Sequence, residues 1–193
     1  MAHTILFIGP QGSGKGTQVA AVANYLRAHD SVSVEQIETG TPFRELAERG
    51  GFAAALVKEL IEHGQFVPNV ITNALVMQEL VDRLTPECHV LLDGYPRDLD
   101  QAHTLEAALT FFKRPRLTVF HLDTPDEVVI ARMKGRGRSD DTDVAIAERL
   151  RLYHTATEPL VAYYRSRPET TFVTVNGAES IESVTRQLVA TLQ

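Results

Sequence analysis

A glycine-rich loop near the N-terminus carries the residue types that bind phosphate groups. The segment GPQGSGKGTQ spans residues 9–18, follows the apolar run at 4–8 and precedes a helix-like stretch. Glycines let the backbone turn so that successive N–H groups face one anion, and the helix N-terminus adds about half a positive charge there. Lys15 would reach the outer phosphates as a point charge. The spacing therefore predicts a phosphate loop whose binding residues are Gly12, Ser13, Gly14, Lys15, Gly16 and Thr17.

The order of residues after Lys15 narrows the class of phosphate loop. The usual motif places Ser or Thr directly after the lysine. Here Gly16 follows the lysine, and the hydroxyl comes one residue later at Thr17. This register weakens the case for Thr17 as a direct ligand of Mg²⁺.

Arginines recur along the chain in numbers that suit further phosphate groups. Polyphosphate ligands bring several negative charges into one cleft, so a cleft that binds them must be basic even in an acidic protein. Arginine suits this task because its planar fork binds phosphate oxygens in pairs and stays charged. Asp93, at the end of the apolar run HVLL, resembles a carboxylate that holds Mg²⁺ or its waters. The candidate arginines are Arg44, Arg97, Arg132, Arg136, Arg138 and Arg149.

Several motifs together resemble the nucleoside monophosphate kinases, and the adenylate kinases most closely, over nearly the whole chain. The loop run GKGTQ is one of them, and Gln101 falls four residues after Arg97 as it does in that family. Other matching segments are TGTPFR at 39–44, FVPN at 66–69, DGYPR at 93–97, the arginines at 132, 136 and 138 with the following Asp140-Asp141, and Arg149 with Tyr153.

The resemblance implies an enzyme that transfers the γ-phosphoryl group of ATP to AMP, with Mg²⁺ as cofactor and no zinc. Lys15, Arg97, Arg138 and Arg149 would hold the transferring group, while Asp93 organises the metal through water. Arg132 and Arg136 would complete the ATP site, although the spacing of Arg132 also suits an ordinary helix salt bridge. The implied AMP site consists of Thr39, Gly40, Arg44, Val67, Gly94, Arg97 and Gln101.

Two other functions are compatible with parts of the pattern. A kinase acting on UMP or CMP shares the motifs, but a Gln amide offers the donor and acceptor that suit adenine's N6/N1 edge. The resemblance places Thr39 and Gln101 against that base, where pyrimidine-acceptor relatives tend to carry Ala and Asn. A non-catalytic sensor of ATP and AMP is the other alternative. It is supported by Thr41, which replaces the family's acidic residue, and by the short segment at 136–141.

Strands and helices alternate along the chain, which predicts an α/β fold with a parallel sheet of about five strands and helices on both faces. By resemblance it is a single P-loop kinase domain over 1–193. The core comprises 1–38, 84–135 and 142–193, with a helical monophosphate-binding insert at 39–83 and a minimal lid loop at 136–141.

Three local features of the helices are also predicted. Asp123 and Thr124 should cap a helix at 125–133. A helical stretch over 144–164 should break at Glu158–Pro159. Asp140 and Asp141 are either lid residues or caps of the helix that begins near Thr142.

Composition restricts the cellular setting and the partners. The net charge of −6 argues against a binder of nucleic acid or of anionic membranes. The single cysteine, Cys88, allows no internal disulfide, and the N-terminus lacks the basic region of a signal peptide. We therefore expect a cytoplasmic protein whose partners are ATP, AMP and ADP. It is taken as a monomer by default, with an oligomer possible.

Overall fold

A parallel five-stranded sheet lies at the centre of the molecule. The structure, a computed structural model, describes residues 2–193. The strands run in the order β2-β3-β1-β4-β5, and every neighbouring pair is parallel. Their bounds are β1 Thr4–Ile8, β2 Val34–Glu38, β3 His89–Asp93, β4 Leu117–Asp123 and β5 Thr170–Asn176. All five residues of β1 are buried, as expected for a central strand that is covered on both faces.

Helices cover both faces of this sheet, which confirms the predicted α/β architecture. One apolar cluster joins the sheet to α4, α5 and α8, and a second joins its other face to α1 and α9. Among the described residues, no helix has the length and apolar character needed to cross a membrane. The helices are α1 Lys15–His29, α2 Gly40–Glu48, α3 Phe52–Glu62, α4 Asn69–Arg83, α5 Leu99–Phe111, α6 Asp126–Gly135, α7 Asp143–Leu152, α8 Pro159–Arg165 and α9 Ile181–Ala190.

The helices between β2 and β3 have a small apolar cluster of their own. Phe43, Val57 and Val67 form its buried centre. Val76 and Leu80 of α4, in contrast, belong to the large cluster against the sheet. The boundaries 39–83 of the insert stay a prediction, and within them α4 is shared between the insert and the core.

The predicted caps of α6 are wrong. Pro125 occupies the N-cap position, and no side chain there accepts a hydrogen bond from the helix. Asp123 is the last residue of β4, and the Thr124 hydroxyl donates to the carbonyl of Leu122 at 3.5 Å instead. Asp123 is thus part of the strand, and Thr124 hydrogen-bonds to a strand carbonyl instead of to the helix.

The predicted break at Glu158–Pro159 coincides with an element boundary, but the backbone does not leave the helical conformation there. A π-helical turn, Tyr153–Thr157, follows α7, and Glu158 keeps a right-handed helical conformation. The N–H of Glu158 bonds to the carbonyl of Tyr153, five residues back, at 2.8 Å. Pro159 then stands at the first position of α8, where its missing N–H is tolerated. The helix therefore continues from α7 into α8.

Candidate active site

A cavity of about 570 Å³ lies where β1 and β3 end, between the phosphate loop, the insert and the turn before α7. This is the edge of a parallel sheet at which ligands bind in open α/β folds. Its volume is within the range of small-molecule sites. All six candidate arginines line it together with Lys15, namely Arg44, Arg97, Arg132, Arg136, Arg138 and Arg149. A strongly basic cavity thus exists inside an acidic protein.

The phosphate loop has the backbone that its sequence requires. Gly14 is the N-cap of α1 with φ 98°, so Lys15 is the first residue of the helix. Gly12 has φ +91°, and a Cβ on it would lie 2.9 Å from the carbonyl oxygen of Val129. Only glycine fits this position, because the conformation and the close approach of α6 both exclude a side chain.

Lys15 is aimed back along this loop. Its Nζ donates to the carbonyl oxygens of Gly9 at 2.7 Å and Pro10 at 2.8 Å. Burial lowers the pKa of Lys15 to about 8, against the opposing influence of Asp93, and the nearby Arg97 adds to the lowering. The ammonium group is therefore held in the cavity at a considerable desolvation cost, which an anion would relieve.

Two carboxylates end neighbouring strands beside the loop. Asp93 is the last residue of β3, and its register partner in β2 is Glu38. Burial raises the pKa of Asp93, while Lys15 and Arg97 lower it and Glu38 adds to the rise. The Oδ2 of Asp93 lies 3.7 Å from the position of a Cβ on Gly16, so this carboxylate faces the start of α1.

This donor set fits Mg²⁺. Residues 2–193 contain no group of three or more His, Cys, Asp or Glu side chains that could hold a metal ion by themselves. Mg²⁺ characteristically keeps several waters and takes one or two carboxylates plus substrate phosphates. One buried carboxylate facing a phosphate loop matches that requirement.

Arg97 is held on both its side chain and its main chain. Its Nε donates to the carbonyl of Gly94 at 2.8 Å, and its Nη2 donates to Thr39 Oγ1 at 3.2 Å. The main-chain N–H donates to Gln101 Oε1 at 2.8 Å, and the carbonyl accepts from Thr157 Oγ1 at 2.7 Å. The guanidinium group thus lines the cavity from a backbone that is fixed on both sides.

Thr39 and Gln101 lie behind the cavity lining. Gln101 is 1% exposed, and its Nε2 donates to Asn69 Oδ1 at 2.7 Å. Thr39 is 3% exposed and donates to the carbonyl of Gly94 at 3.0 Å. Their assignment to the acceptor base stays a prediction, and it requires Gln101 to exchange its present partners. Gly40, Val67 and Gly94 do line the cavity.

Four residues around the short turn form one ion-pair cluster. Arg136 binds Asp141 through Nε at 2.5 Å and Nη2 at 2.8 Å. Arg149 reaches Asp141 at 2.5 Å and Asp140 at 2.6 Å. The cap of α7 is Thr142, whose hydroxyl accepts from the N–H of Ala145. Of the two interpretations left open, the aspartates therefore bind the lid arginines and do not cap the helix.

Arg44 and Arg132 have partners that the sequence pattern did not suggest. The Nη2 of Arg44 donates to Thr41 Oγ1 at 2.9 Å, so the residue that departs from the family motif contacts a candidate AMP-site arginine. The Nη1 of Arg132 donates to the carbonyls of Ser13 at 3.2 Å and Gly177 at 2.8 Å. Arg132 thus joins the phosphate loop to the turn after β5 and makes no helix salt bridge there.

Comparisons with known proteins agree with this geometry. The family model described as Adenylate kinase matches residues 7–169. The chain is 35% identical to Adenylate kinase 1 of Nostoc sp. over 188 residues, which cover 97% of each chain. It is 36% identical to Adenylate kinase of Mycobacterium tuberculosis over 168 residues, 86% of this chain and 88% of the relative.

The chain belongs to the adenylate kinase family.

In this adenylate kinase family member, several cavity residues had no place in the sequence-based site. Glu38, Tyr153 and Thr157 line the cavity, as does Asp140. The position of Glu38 at the end of a strand next to β3 was a usable signal, because carboxyl ends of parallel strands share one edge. Tyr153 belongs to a segment that resembles the family, whereas Thr157 depends on the π-helical turn, which no sequence pattern indicated.

Proposed function

We propose that this member of the adenylate kinase family transfers the γ-phosphoryl group of ATP to AMP, giving two ADP. One observation carries the proposal. A single cavity joins the phosphate loop, on one side, to Arg44 and Arg97 beside the insert, on the other. Such a cavity provides cations for the phosphates of a donor and of an acceptor nucleotide at the same time. Phosphoryl transfer between two nucleotides requires both to be bound side by side.

The reaction needs charge and alignment rather than proton transfer. An oxygen of the AMP phosphate forms a bond to the γ-phosphorus, and the bond to the oxygen bridging the β- and γ-phosphates breaks, so that those electrons remain on ADP. Because the attacking oxygen is already anionic, we assign no general base. Lys15, Arg97, Arg138 and Arg149 would surround the transferring group and stabilise its charge, which is how phosphoryl transfer is generally catalysed.

On the donor side, the loop residues Gly12 to Thr17 would hold the phosphates with their N–H groups. Arg136 would be a further phosphate contact, and Arg132 would contact the adenine. Asp93 would hold Mg²⁺ through its waters. The metal, when bound, neutralises phosphate charge and aligns the phosphate chain.

On the acceptor side, Arg44 and Arg97 would bind the AMP phosphate. Thr39, Gly40, Val67, Gly94 and Gln101 would surround the nucleoside, with the Gln101 amide reading adenine. In this structure the Gln101 amide accepts a hydrogen bond from the Arg97 N–H and donates one to Asn69. Its Nε2 must therefore exchange Asn69 for the base when AMP binds.

The proposed setting follows from charge and composition. We place the activity in the cytoplasm, with nucleotides as the only partners and neither nucleic acid nor membrane involved. The supports are the net charge of −6 and the single cysteine. We take the monomer as the working form, since one chain supplies every residue assigned above.

The test is a mixed assay of ATP, Mg²⁺ and one monophosphate at a time, monitored for ADP. AMP should exceed UMP and CMP strongly in kcat/KM, since a pocket built for hydrogen bonds rejects a base that leaves them unpaired. Equal turnover of CMP would indicate a pyrimidine kinase instead. Binding of ATP and AMP without any turnover would indicate a sensor.

Lys15→Ala tests the assignment of the phosphate loop in the same assay. It should lower kcat/KM by roughly 100-fold or more while the protein stays folded, by analogy with the loss of one oxyanion donor. Near-normal turnover in a well-folded Lys15→Ala protein would contradict the assignment of the phosphate loop.

A further inference from the structure

The hydroxyl of Thr157, at the end of the π-helical turn, forms its hydrogen bond outside its own helix. It donates to the main-chain carbonyl of Arg97, 60 residues away in sequence, at 2.7 Å. Helical threonines commonly donate to the carbonyl four residues earlier. Among residues 2–193, six threonines do so, namely Thr72, Thr104, Thr110, Thr155, Thr185 and Thr191. The contact of Thr157 is thus a departure from a local rule that its neighbours follow.

This bond completes the fixation of the Arg97 backbone. Gln101 accepts from the N–H on one side, and Thr157 donates to the carbonyl on the other. Thr157 is 7% exposed, so little water reaches the contact to compete for it. The starting point of the Arg97 side chain is therefore set by two side chains from two different elements.

The helix that carries Thr157 also carries Arg149. The chain stays helical from α7 through the π-helical turn, so the two residues belong to one continuous helical stretch. Burial lowers the pKa of Arg97, Asp93 opposes this shift, and the charge of Arg149 adds a smaller lowering. Both arginines line the same cavity, so the helical stretch that carries Arg149 also supplies the hydroxyl that holds the Arg97 main chain.

We propose that Thr157 is a positioning residue for the acceptor side of the reaction. Its hydroxyl holds the Arg97 carbonyl, which sets the guanidinium group for the acceptor phosphate and keeps it in register with Arg149. The proposal rests on the proposed function, because it assigns Arg97 to the phosphate of AMP. Thr157 itself touches no reacting atom in this scheme.

The expected effect is selective. Misplacing an aligned group by about 1 Å can cost about 100-fold in rate. Thr157→Val removes the hydroxyl but keeps the shape, and it should lower kcat about tenfold and raise the KM for AMP. The KM for ATP should stay within about twofold, because the loop contacts of Lys15 and Arg132 do not involve Thr157.

Two further variants separate positioning from packing. Thr157→Ser keeps the hydroxyl and should restore kcat to within about threefold of the unmodified protein. Thr155→Val is the matched control, since Thr155 lies in the same turn but donates only to Arg151 of its own helix. It should leave kcat, the KM for AMP and the KM for ATP unchanged. If Thr157→Val lowers the unfolding temperature, Thr157→Ala with Thr157→Ser is compared at a temperature where both are folded.

Each outcome decides the proposal. Normal kinetics in folded Thr157→Val, equal losses in the Ser and Val variants, or equal losses for AMP and ATP would each overturn it.

A second readout does not depend on turnover. Heteronuclear NMR of the Arg97 amide and Nε–H should show faster hydrogen exchange in Thr157→Val, and Thr157→Ser should show no such change. If the unmodified protein makes no ADP, the proposed function fails, while the NMR result still tests the link between Thr157 and Arg97.

Discussion

Lys15 carries a charge that depends on pH close to the physiological range. Its pKa is lowered to about 8 by burial. A bound phosphate favours the charged form and so raises this pKa. Below pH 8 the lysine is already protonated and its attraction for phosphate is complete. As the pH rises above 8, binding requires uptake of a proton and ATP affinity falls.

This coupling can be measured directly. Titration calorimetry of ATP binding at about pH 9, in two buffers of different ionisation heat, should report uptake of a large fraction of one proton. Lys15→Arg is the control, because its charge persists at that pH and the uptake should vanish. Undiminished proton uptake by the Arg variant would show that another group titrates.

Sequence identified which side chains meet at the cavity better than it identified their partners. The six arginines were identified by their residue type and by their resemblance to the family's motifs, and all line one cavity. The hydrogen bonds from Arg132 to the Gly177 carbonyl and from Gln101 to Asn69 were not predicted. These contacts join residues that are distant in sequence, and their geometry exists only after the chain has folded.

At the scale of elements, Arg114 joins several loops at the N-terminal edge of the sheet. The buried guanidinium donates to Thr4 Oγ1 and to four main-chain carbonyls, those of His3, Thr85, Pro86 and Cys88. It thereby satisfies acceptors at the starts of β1 and β3. Nothing in its sequence context distinguishes it from a surface arginine.

We expect Arg114→Ala to destabilise the protein by about 3 kcal/mol or more, because several buried acceptors lose their donor. Arg116→Ala, two residues away and exposed, should cost less than about 0.5 kcal/mol. Denaturant unfolding measures both values. Similar stabilities for the two variants would show that water replaces the guanidinium without cost.

His154 ties the π-helical turn to α6 and α8. Its Nε2 lies 3.0 Å from Asp126 Oδ2, and its Nδ1 lies 2.8 Å from Glu158 Oε2. Hydrogen bonds to Glu158 and Asp126 raise its pKa above 6.5. The charged form is therefore favoured in the folded protein. The resulting stability is complete below pH 6.5 and is lost as the pH rises through the raised pKa.

His154→Gln should accordingly be less stable than the unmodified protein at about pH 6, by about 0.5 kcal/mol, since the pair is exposed and screened by water. The difference should shrink at about pH 9, where the histidine is neutral in both states. Unfolding free energies at the two pH values test this sign. A gap that widens with pH would rule out the assigned ion pairs.

The π-helical turn itself was not predicted from the sequence, although the boundary at Glu158–Pro159 was. A proline inside a helical pattern normally ends the helix, because it removes a hydrogen bond and clashes with the preceding turn. Here the bond from Glu158 to Tyr153 widens the turn and places Pro159 at a position that tolerates it. The alternation of strands and helices, with about five parallel strands, was predicted from local patterns and is confirmed.

At the scale of the whole molecule, the insert contacts α7 directly. Gly64 follows α3 with φ +72°, and a Cβ on it would overlap the carbonyl oxygen of Ala145. Arg149 Nη2 also donates to the carbonyl of Ile61 in α3 at 3.3 Å. The two sides of the cavity thus meet across its mouth.

Gly64→Ala should separate them, and Gly50→Ala is the matched control. Gly50 follows α2 with φ +77° but has nothing within 4 Å of its Cβ position. Both variants lose about 1 kcal/mol from the left-handed conformation. Gly64→Ala should lose at least about 1 kcal/mol more, through overpacking, and raise the KM for AMP. Equal effects of the two variants would mean that this contact does not shape the AMP side.

The pairing of Arg136 and Arg149 with Asp140 and Asp141 has a consequence for competition among anions. The two carboxylates are tethered next to the arginines, so their effective concentration is far above that of any free ion. A chloride or a single sulfate ion gains too little from one arginine to displace them. A triphosphate bound as proposed above would engage the loop, the lysine and several arginines together, and could therefore take their place. Internal counter-ions of this kind keep a highly basic cavity selective for polyphosphates in a solution crowded with small anions.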